Sequence, residues 1–292
     1  FNSKPPLDKF ETSSQTDFNG GTFKYTSADR GDNSGDLGIG YLNGTKSGQP
    51  ENNGLNNKSM VGYWRLDKEV SDGEAAVDYS GEDNDGSLNT GGNTASGSSG
   101  ILSTKAFNFD GNDDYLSVPD SSSLDQGSAL TVSFWMKADS YPNRWNAFIG
   151  KEDWNSGTGW VIYDDGGELY FEQAGGTGIE GSWSRNTGEW YHIVATSVDG
   201  GAAKIYVDGD QISSGSVPLS VNDAELNIGS RHQNSGTGSK DNIDGTMDEV
   251  RIYNRSLSQS EVEDLYFQGR NGEFTGRYTA KDIDKNQETS WN

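Results

Sequence analysis

An all-β sandwich is the fold class this sequence predicts, and three observations predict it. From Met60 onward, short runs rich in β-branched and aromatic residues follow one another. Clusters of Gly, Asn, Asp and Ser separate the runs, and several runs alternate apolar with polar residues. Strands are expected near 61–66, 105–109, 115–118, 129–136, 147–150, 159–163, 168–172, 190–198, 202–207, 225–228 and 245–253. In the run from Leu130 to Met136 one face holds Leu130, Val132, Phe134 and Met136, as in a half-buried strand of an antiparallel sheet. Tyr191, Ile193 and Ala195 form the matching set in a second run. Asp199-Gly200-Gly201 and Asp208-Gly209 lie between β runs, where turns need positive φ. One helix is expected near the end. Ser258-Gln259-Ser260-Glu261 has the form of a capping box, and Val262, Leu265 and Tyr266 then share a face. Its tail, Glu263 to Gly269, resembles a viral protease recognition sequence, but the capping box runs straight into it and it reads as native.

Around this domain, assigned to 59–269, the texture differs. Residues 1–58 are polar, with short apolar pulses at 18–25 and 37–42 that could be strands and a linker from 43 to 58. Residues 270–292 read as the start of a following module or a tail, and 271–282 faintly repeats 19–29. With Phe1 as its first residue, the chain is expected to be a piece of a longer modular protein.

Composition narrows the function. Among 292 residues, 45 are acidic and 22 basic, a formal net charge of −23, which disfavours nucleic acid and anionic membranes as partners. There is no Cys, so disulfides, thiolate metal sites and Cys nucleophiles are excluded. No apolar run is long enough for a membrane span. High charge with few apolar residues is also the signature of disorder, but 8 Trp, 13 Tyr and 11 Phe argue for a folded core. An acidic surface on such a core suits a protein working in strong brine, or serves solubility alone.

Several motifs in order carry a resemblance. They begin with Val61-Gly62-Tyr63-Trp64-Arg65-Leu66-Asp67, the loop Asp78-Tyr79-Ser80-Gly81-Glu82-Asp83-Asn84-Asp85-Gly86 and the turn Phe109-Asp110-Gly111-Asn112-Asp113-Asp114. Glu189-Trp190-Tyr191-His192, Ile205-Tyr206-Val207-Asp208-Gly209, Leu226-Asn227-Ile228-Gly229-Ser230 and Gly245-Thr246-Met247-Asp248-Glu249-Val250 follow. Over residues 60–269 the chain resembles the laminin-G-like (LamGL) jelly-roll domains of the concanavalin-A-like superfamily. That resemblance implies a two-sheet antiparallel jelly-roll sandwich with one short C-terminal helix, preceded by the polar N-terminal segment. It also implies a binding module on an exported protein.

Calcium takes six to eight oxygen ligands and favours acidic Gly/Asn loops such as 78–86. Carried over from the resemblance, the Ca2+ ligands are Asp78, Asn84, Asp110 and Asp248; alternatively Asp78 and Asp110 cap turns. Glu82 and Asp83 depart from the LamGL pattern, which has Asn and Gly there. For sugar binding, exposed aromatics with polar neighbours are needed, and Arg144, Trp145, Asp153 and Trp154 form the candidate cluster, with Trp183 in another loop. Trp64, Trp135 and Trp190 read as core. Three sequons, at Asn43, Asn57 and Asn254, fit glycosylation of an exported protein.

Catalysis is not expected. Glycosidases of the resembled superfamily carry acids alternating on one strand; here Glu168 and Glu172 share a face, but Tyr170 stands between them. Of the two His, His192 lies in a core strand and His232 in a loop, and no nucleophile elbow or phosphate loop is present. The expected function is therefore a non-enzymatic extracellular or cell-surface recognition module that binds a glycan or a surface protein. A structural subunit of a surface assembly is the second reading, and a glycoside hydrolase or lyase a remote third.

Overall fold

The computed structural model describes residues 14–16, 22–24, 59–67, 75–90, 97–102, 105–232 and 239–270. The chain divides into two compact units, one of 1–53 with 273–292 and one of 54–272. In the first, β1 (Ser14–Thr16) pairs antiparallel with β2 (Thr22–Lys24), which falls within the first apolar pulse. The second pulse, the linker and the tail beyond Arg270 lie outside the described residues, as do the sequons at Asn43 and Asn57.

The second unit opens with β3 (Met60–Trp64), β4 (Ala75–Ala76), β5 (Gly86–Asn89), β6 (Gly97–Ser98), β7 (Ala106–Asp110) and β8 (Tyr115–Val118). Then come β9 (Ala129–Ser140), β10 (Trp145–Asp153), β11 (Thr158–Asp165), β12 (Glu168–Gln173), β13 (Thr177–Ser182) and β14 (Tyr191–Val198). The chain continues through β15 (Ala203–Val207), β16 (Asp210–Gly215), β17 (Leu226–Ile228), β18 (Arg231–His232), β19 (Ser239–Lys240), β20 (Asp244–Tyr253) and α1 (Gln259–Arg270).

Two antiparallel sheets form the sandwich. The first runs β16-β15-β14-β9-β20-β7-β6, with β3 also on β20; the second runs β13-β12-β11-β10-β17-β8-β5-β4. Between them lies one core, built from alternate residues of each strand as antiparallel pleating requires. Leu130, Val132, Phe134 and Met136 face it from β9, and Tyr191, Ile193 and Ala195 from β14, both sets as expected. From the second sheet it receives Phe148, Ile149, Ile162, Phe171 and Ile228.

The helix covers the other face of the first sheet. Ser258 and Glu261 close the capping box, with the Ser258 amide donating to Glu261 Oε2 at 2.8 Å. Val262 and Leu265 join Tyr63, Val194, Tyr206 and Tyr253 in a second apolar cluster. Tyr266, on the same face, stacks on Trp135 at 5.8 Å between centroids, and Trp135 stacks on His192 at 5.0 Å. Gly269 is pressed against the Trp135 indole, where a Cβ would come within 2.2 Å of Nε1. His192, fully buried, meets the Ser133 hydroxyl at 2.9 Å, so it is a packed strand residue.

Two tryptophans differ from expectation. Trp190 precedes β14 and is only half-buried beneath Lys137, because the strand starts one residue later than predicted. Trp183 packs partly against the core, and its Nε1 donates to the buried Asp164 carboxylate at 3.0 Å, which removes it from the candidate ligand surface. His232 lies in the two-residue β18, not in a loop.

Candidate functional site

The strand register decides which side chains share the outer face of the second sheet. Trp145, Asp165 and Glu168 form one row across β10, β11 and β12, and Ala147, Tyr163 and Tyr170 the next. Gly150, Val161 and Glu172 form a third, extended by Asn227 on β17, which pairs with Gly150. Two residues further along β10, on the same face, stands Glu152. The intervening residues, Trp160, Ile162, Leu169, Phe171, Leu226 and Ile228, are the ones that fill the core.

Arg231 ties this face together. Its guanidinium carbon lies 4.6 Å from the Trp154 ring centroid and 5.6 Å from that of Trp145. Arg144 lies over Trp145 as well, at 5.2 Å, so two indoles and two guanidiniums form one cation–π cluster. Carboxylates hold the heads in place. Trp154 Nε1 donates to Glu152 Oε2 at 2.5 Å, and Arg231 Nε lies 3.2 Å from Glu152 Oε1 and 3.6 Å from Asp241. Asp165 Oδ2 accepts from Trp145 Nε1 at 3.2 Å and from Arg144 Nε at 3.3 Å. Glu152 is fully buried, whereas the Arg144 side chain is 77% exposed, so the cluster runs from a dry floor to a wet rim.

Beside it, the Tyr163 and Tyr170 rings stack in parallel, 4.8 Å apart, and the Tyr163 hydroxyl donates to Glu172 Oε1 at 3.1 Å. Burial pushes the Glu172 carboxyl above the usual range, against the opposing effects of the Tyr163 hydrogen bond and the Arg231 charge.

Of the four residues expected to bind a ligand, the structure brings together Arg144, Trp145 and Trp154. Asp153 turns to its own loop instead, capping Asn155 N at 2.9 Å and the Ser156 hydroxyl at 2.8 Å. Sequence reading missed Glu152, Asp165, Asn227 and Arg231. The outward parity of Glu152 with Trp145, and of Asn227 between Leu226 and Ile228, was a usable signal; for Arg231 there was none.

The expected calcium ligands do not converge. Asp78 and Asn84 meet, but as parts of a hydrogen-bonded loop. Asp78 Oδ1 accepts from the amides of Tyr63 and Ser80 at 2.8 Å each, and Oδ2 from the Ser80 hydroxyl at 2.6 Å and the Asn84 amide at 3.0 Å. Asn84 Nδ2 donates to Val61 O at 2.7 Å and to Ser123 at 2.8 Å. Asp110 caps Asn112 N at 2.9 Å and pairs with Asp244, which is four residues along β20 from Asp248, roughly 13 Å away. Asp248 is fully buried and accepts from Ile101 N at 2.8 Å and Glu249 N at 2.9 Å. Burial, with the neighbouring Glu249 charge, pushes its carboxyl up to about 8. This donor set does not fit one calcium ion; Asp78 and Asp110 cap turns. The described carboxylates that do approach one another are Asp110, Asp113 and Asp114, on the turn after β7. The sequon residue Asn254 is exposed just after β20.

The comparisons agree with this architecture. The family model described as the concanavalin A-like lectin/glucanases superfamily, Laminin_G_3, matches residues 110–263. The chain belongs to that family. Among solved structures it is similar to the binding domain of Paraclostridial Mosquitocidal Protein 1, at 21% identity and TM-score 0.56, over 72% of this chain and 52% of that one. It is similar also to domain 4 of AbnA, a GH43 extracellular arabinanase from Geobacillus stearothermophilus, in complex with arabinotriose. That match has 24% identity and TM-score 0.55, covering 71% of this chain and 98% of the domain. A Trypanosoma rangeli sialidase matches at 17% identity and TM-score 0.54, over 74% of this chain and 33% of the enzyme. The chain thus spans about half the length of the first neighbour and a third of the sialidase. At these identities the likeness shows the fold. No curated protein sequence matches the chain significantly.

Proposed function

We propose that this domain is a non-catalytic carbohydrate-recognition module acting outside the cell, and that the outer face of the second sheet is its binding surface. The observation that carries the reading is the cluster of Trp145, Trp154 and Arg231 above Glu152 and Asp165. Indole faces beside hydrogen-bonding carboxylates and guanidiniums are what a sugar ring needs, apolar area for its C–H groups and polar partners for its hydroxyls. Trp145 is 37% exposed, and the side chain nearest the rim, Arg144, is held to Asp165 by an ion pair that water screens. A ligand therefore displaces little when it docks on that indole.

Two further observations favour binding over hydrolysis. Glu152 and Glu172 stand two strands apart and two residues out of line, roughly 12 Å between Cα atoms by strand spacing. Each is also already engaged, Glu152 by Trp154 and Arg231, Glu172 by Tyr163. Among the neighbours, the AbnA domain was solved with arabinotriose, and a module of comparable extent here would play a similar part in a larger protein.

A glycan array followed by calorimetric titration tests the reading. Saturable binding to at least one oligosaccharide is expected, and Trp145→Ala should weaken it about tenfold, or ~1.4 kcal/mol. Absence of saturable binding across the array, or binding untouched by both Trp145→Ala and Trp154→Ala, would show the surface to be misassigned.

A further inference from the structure

Two polar side chains close to Arg231 in the sequence, Asn227 and Ser230, are not used by the recognition cluster. Asn227 is fully buried, and neither its Oδ1 nor its Nδ2 has a hydrogen-bond partner among the described residues. Ser230 is fully buried, and its hydroxyl has none either. Buried amides and hydroxyls are almost always paired, so two such groups three residues apart in the sequence call for a ligand.

Their place in the fold says where that ligand would sit. Leu226 and Ile228 point into the core, so Asn227 between them points to the outer face. There it faces Gly150, which has no side chain to occupy the space, and Glu152 is the next outward residue of β10. Ser230 directly precedes Arg231, whose guanidinium lies over Trp154 and beside Glu152. The sheet residues flanking this spot are small or uncharged, Ser117 on one side of Asn227 and Gly150 on the other.

We propose that Asn227 and Ser230 form the polar floor of the recognition site and hold hydroxyl groups of an uncharged sugar, with Arg231 as the side chain that turns outward to admit it. This rests on the carbohydrate-recognition reading given above. The chemistry of the floor sets the ligand class. An amide offers one acceptor and two donors, and a hydroxyl both donates and accepts, which complements a pair of sugar hydroxyls. Neither group balances a charge. The Glu152 and Asp241 carboxylates set against Arg231 stay beside the floor when that guanidinium turns outward, so a carboxylated or sulfated sugar meets like charge there. A glycan that reaches Asn227 and Ser230 gives the buried groups the partners they lack, and a competitor without hydroxyls at those points leaves them unpaired.

The test titrates the full chain with arabinotriose, xylotriose and cellotriose as uncharged probes, against 3′-sialyllactose and fully deacetylated chitotriose as anionic and cationic ones. An uncharged trisaccharide should bind wild type. Asn227→Leu should lower its affinity at least tenfold with no fall in melting temperature, because the variant removes an unsatisfied buried amide. Ser230→Ala, a smaller change, should lower affinity at least threefold and also melt no lower. If both variants bind the trisaccharide as wild type does, the floor is wrong while the recognition face stands. If both melt several degrees lower with binding unchanged, the two groups serve internal structural water and the proposal is overturned. Binding of only the charged probes would overturn the ligand class alone, and failure of every probe against wild type would remove the recognition reading and this proposal with it.

Discussion

Two polar regions of this domain use their hydrogen-bonding groups in opposite ways. In the loop of Asp78 to Gly86, the acidic residue at the centre is saturated. Asp78 takes hydrogen bonds from Tyr63, Ser80 and Asn84, and Asn84 in turn ties Val61 and Ser123. On the outer face of the second sheet, Asn227 is as deeply buried as Asn84 yet, like Ser230 three residues on, has no hydrogen-bond partner among the described residues. A buried Asn stands in both places. The difference is whether backbone amides converge on the side chains, as they do where β3 meets the loop and do not where Gly150 faces Asn227. Saturated groups hold a fold together; unsaturated ones are available to something else.

The largest effect that could break this contrast is at Asp78. Asp78→Ala removes the acceptor of four hydrogen bonds and leaves the buried Tyr63 and Asn84 amides unpaired. It should cost about 3–5 kcal/mol in denaturant unfolding. A loss below about 1 kcal/mol would mean that the loop is not the structural closure inferred from its bonds.

A smaller effect is expected from pH. His192, buried beside Trp135 and Tyr266, has its pKa lowered by burial to about 3, so its contribution is lost as pH falls from about 6.5 towards 3. Asp248, raised by burial to about 8, has the opposite sign: its contribution is present below about pH 4 and is lost as pH rises towards 8. The two slopes offset each other between about pH 4 and 6.5. Melting temperature should therefore be nearly flat there and fall from pH 6.5 to 8, and Asp248→Asn should flatten that alkaline limb. A limb unchanged in the mutant would assign the loss to another group.

The smallest effect is expected from calcium. Because Asp78 is saturated and Asp110 pairs with Asp244 away from Asp248, adding calcium or chelator at fixed ionic strength should move the melting temperature by less than about 1 °C, where a ligand at a hundredfold over its Kd, worth ~2.7 kcal/mol, would raise it by several degrees. A clear rise with calcium that Asp110→Asn abolishes would shift attention to the carboxylates of Asp110, Asp113 and Asp114.

Much of the sandwich was legible in the sequence. Alternation over Leu130 to Met136 and over Tyr191 to Ala195 named the core faces of β9 and β14, because pleating forces successive side chains to opposite sides. The capping box at Ser258 located α1, since those bonds are local. Strands β5, β13 and β16 were missed: Gly86–Asn89, Thr177–Ser182 and Asp210–Gly215 are polar or Gly-rich, and only pairing with neighbours makes them strands. The site divides the same way. Exposed aromatics beside charges were visible as Arg144, Trp145 and Trp154 in one stretch of chain. That Arg231 would lie over both indoles, that Asn227 would face Gly150, and that Asp110 and Asp248 would stay apart are consequences of register between strands remote in sequence. Sequence alone determined which residues alternate, cap and turn, because those forces act within a few residues. The tertiary structure alone decided which polar groups are saturated and which are left open, because backbone donors arrive from other strands.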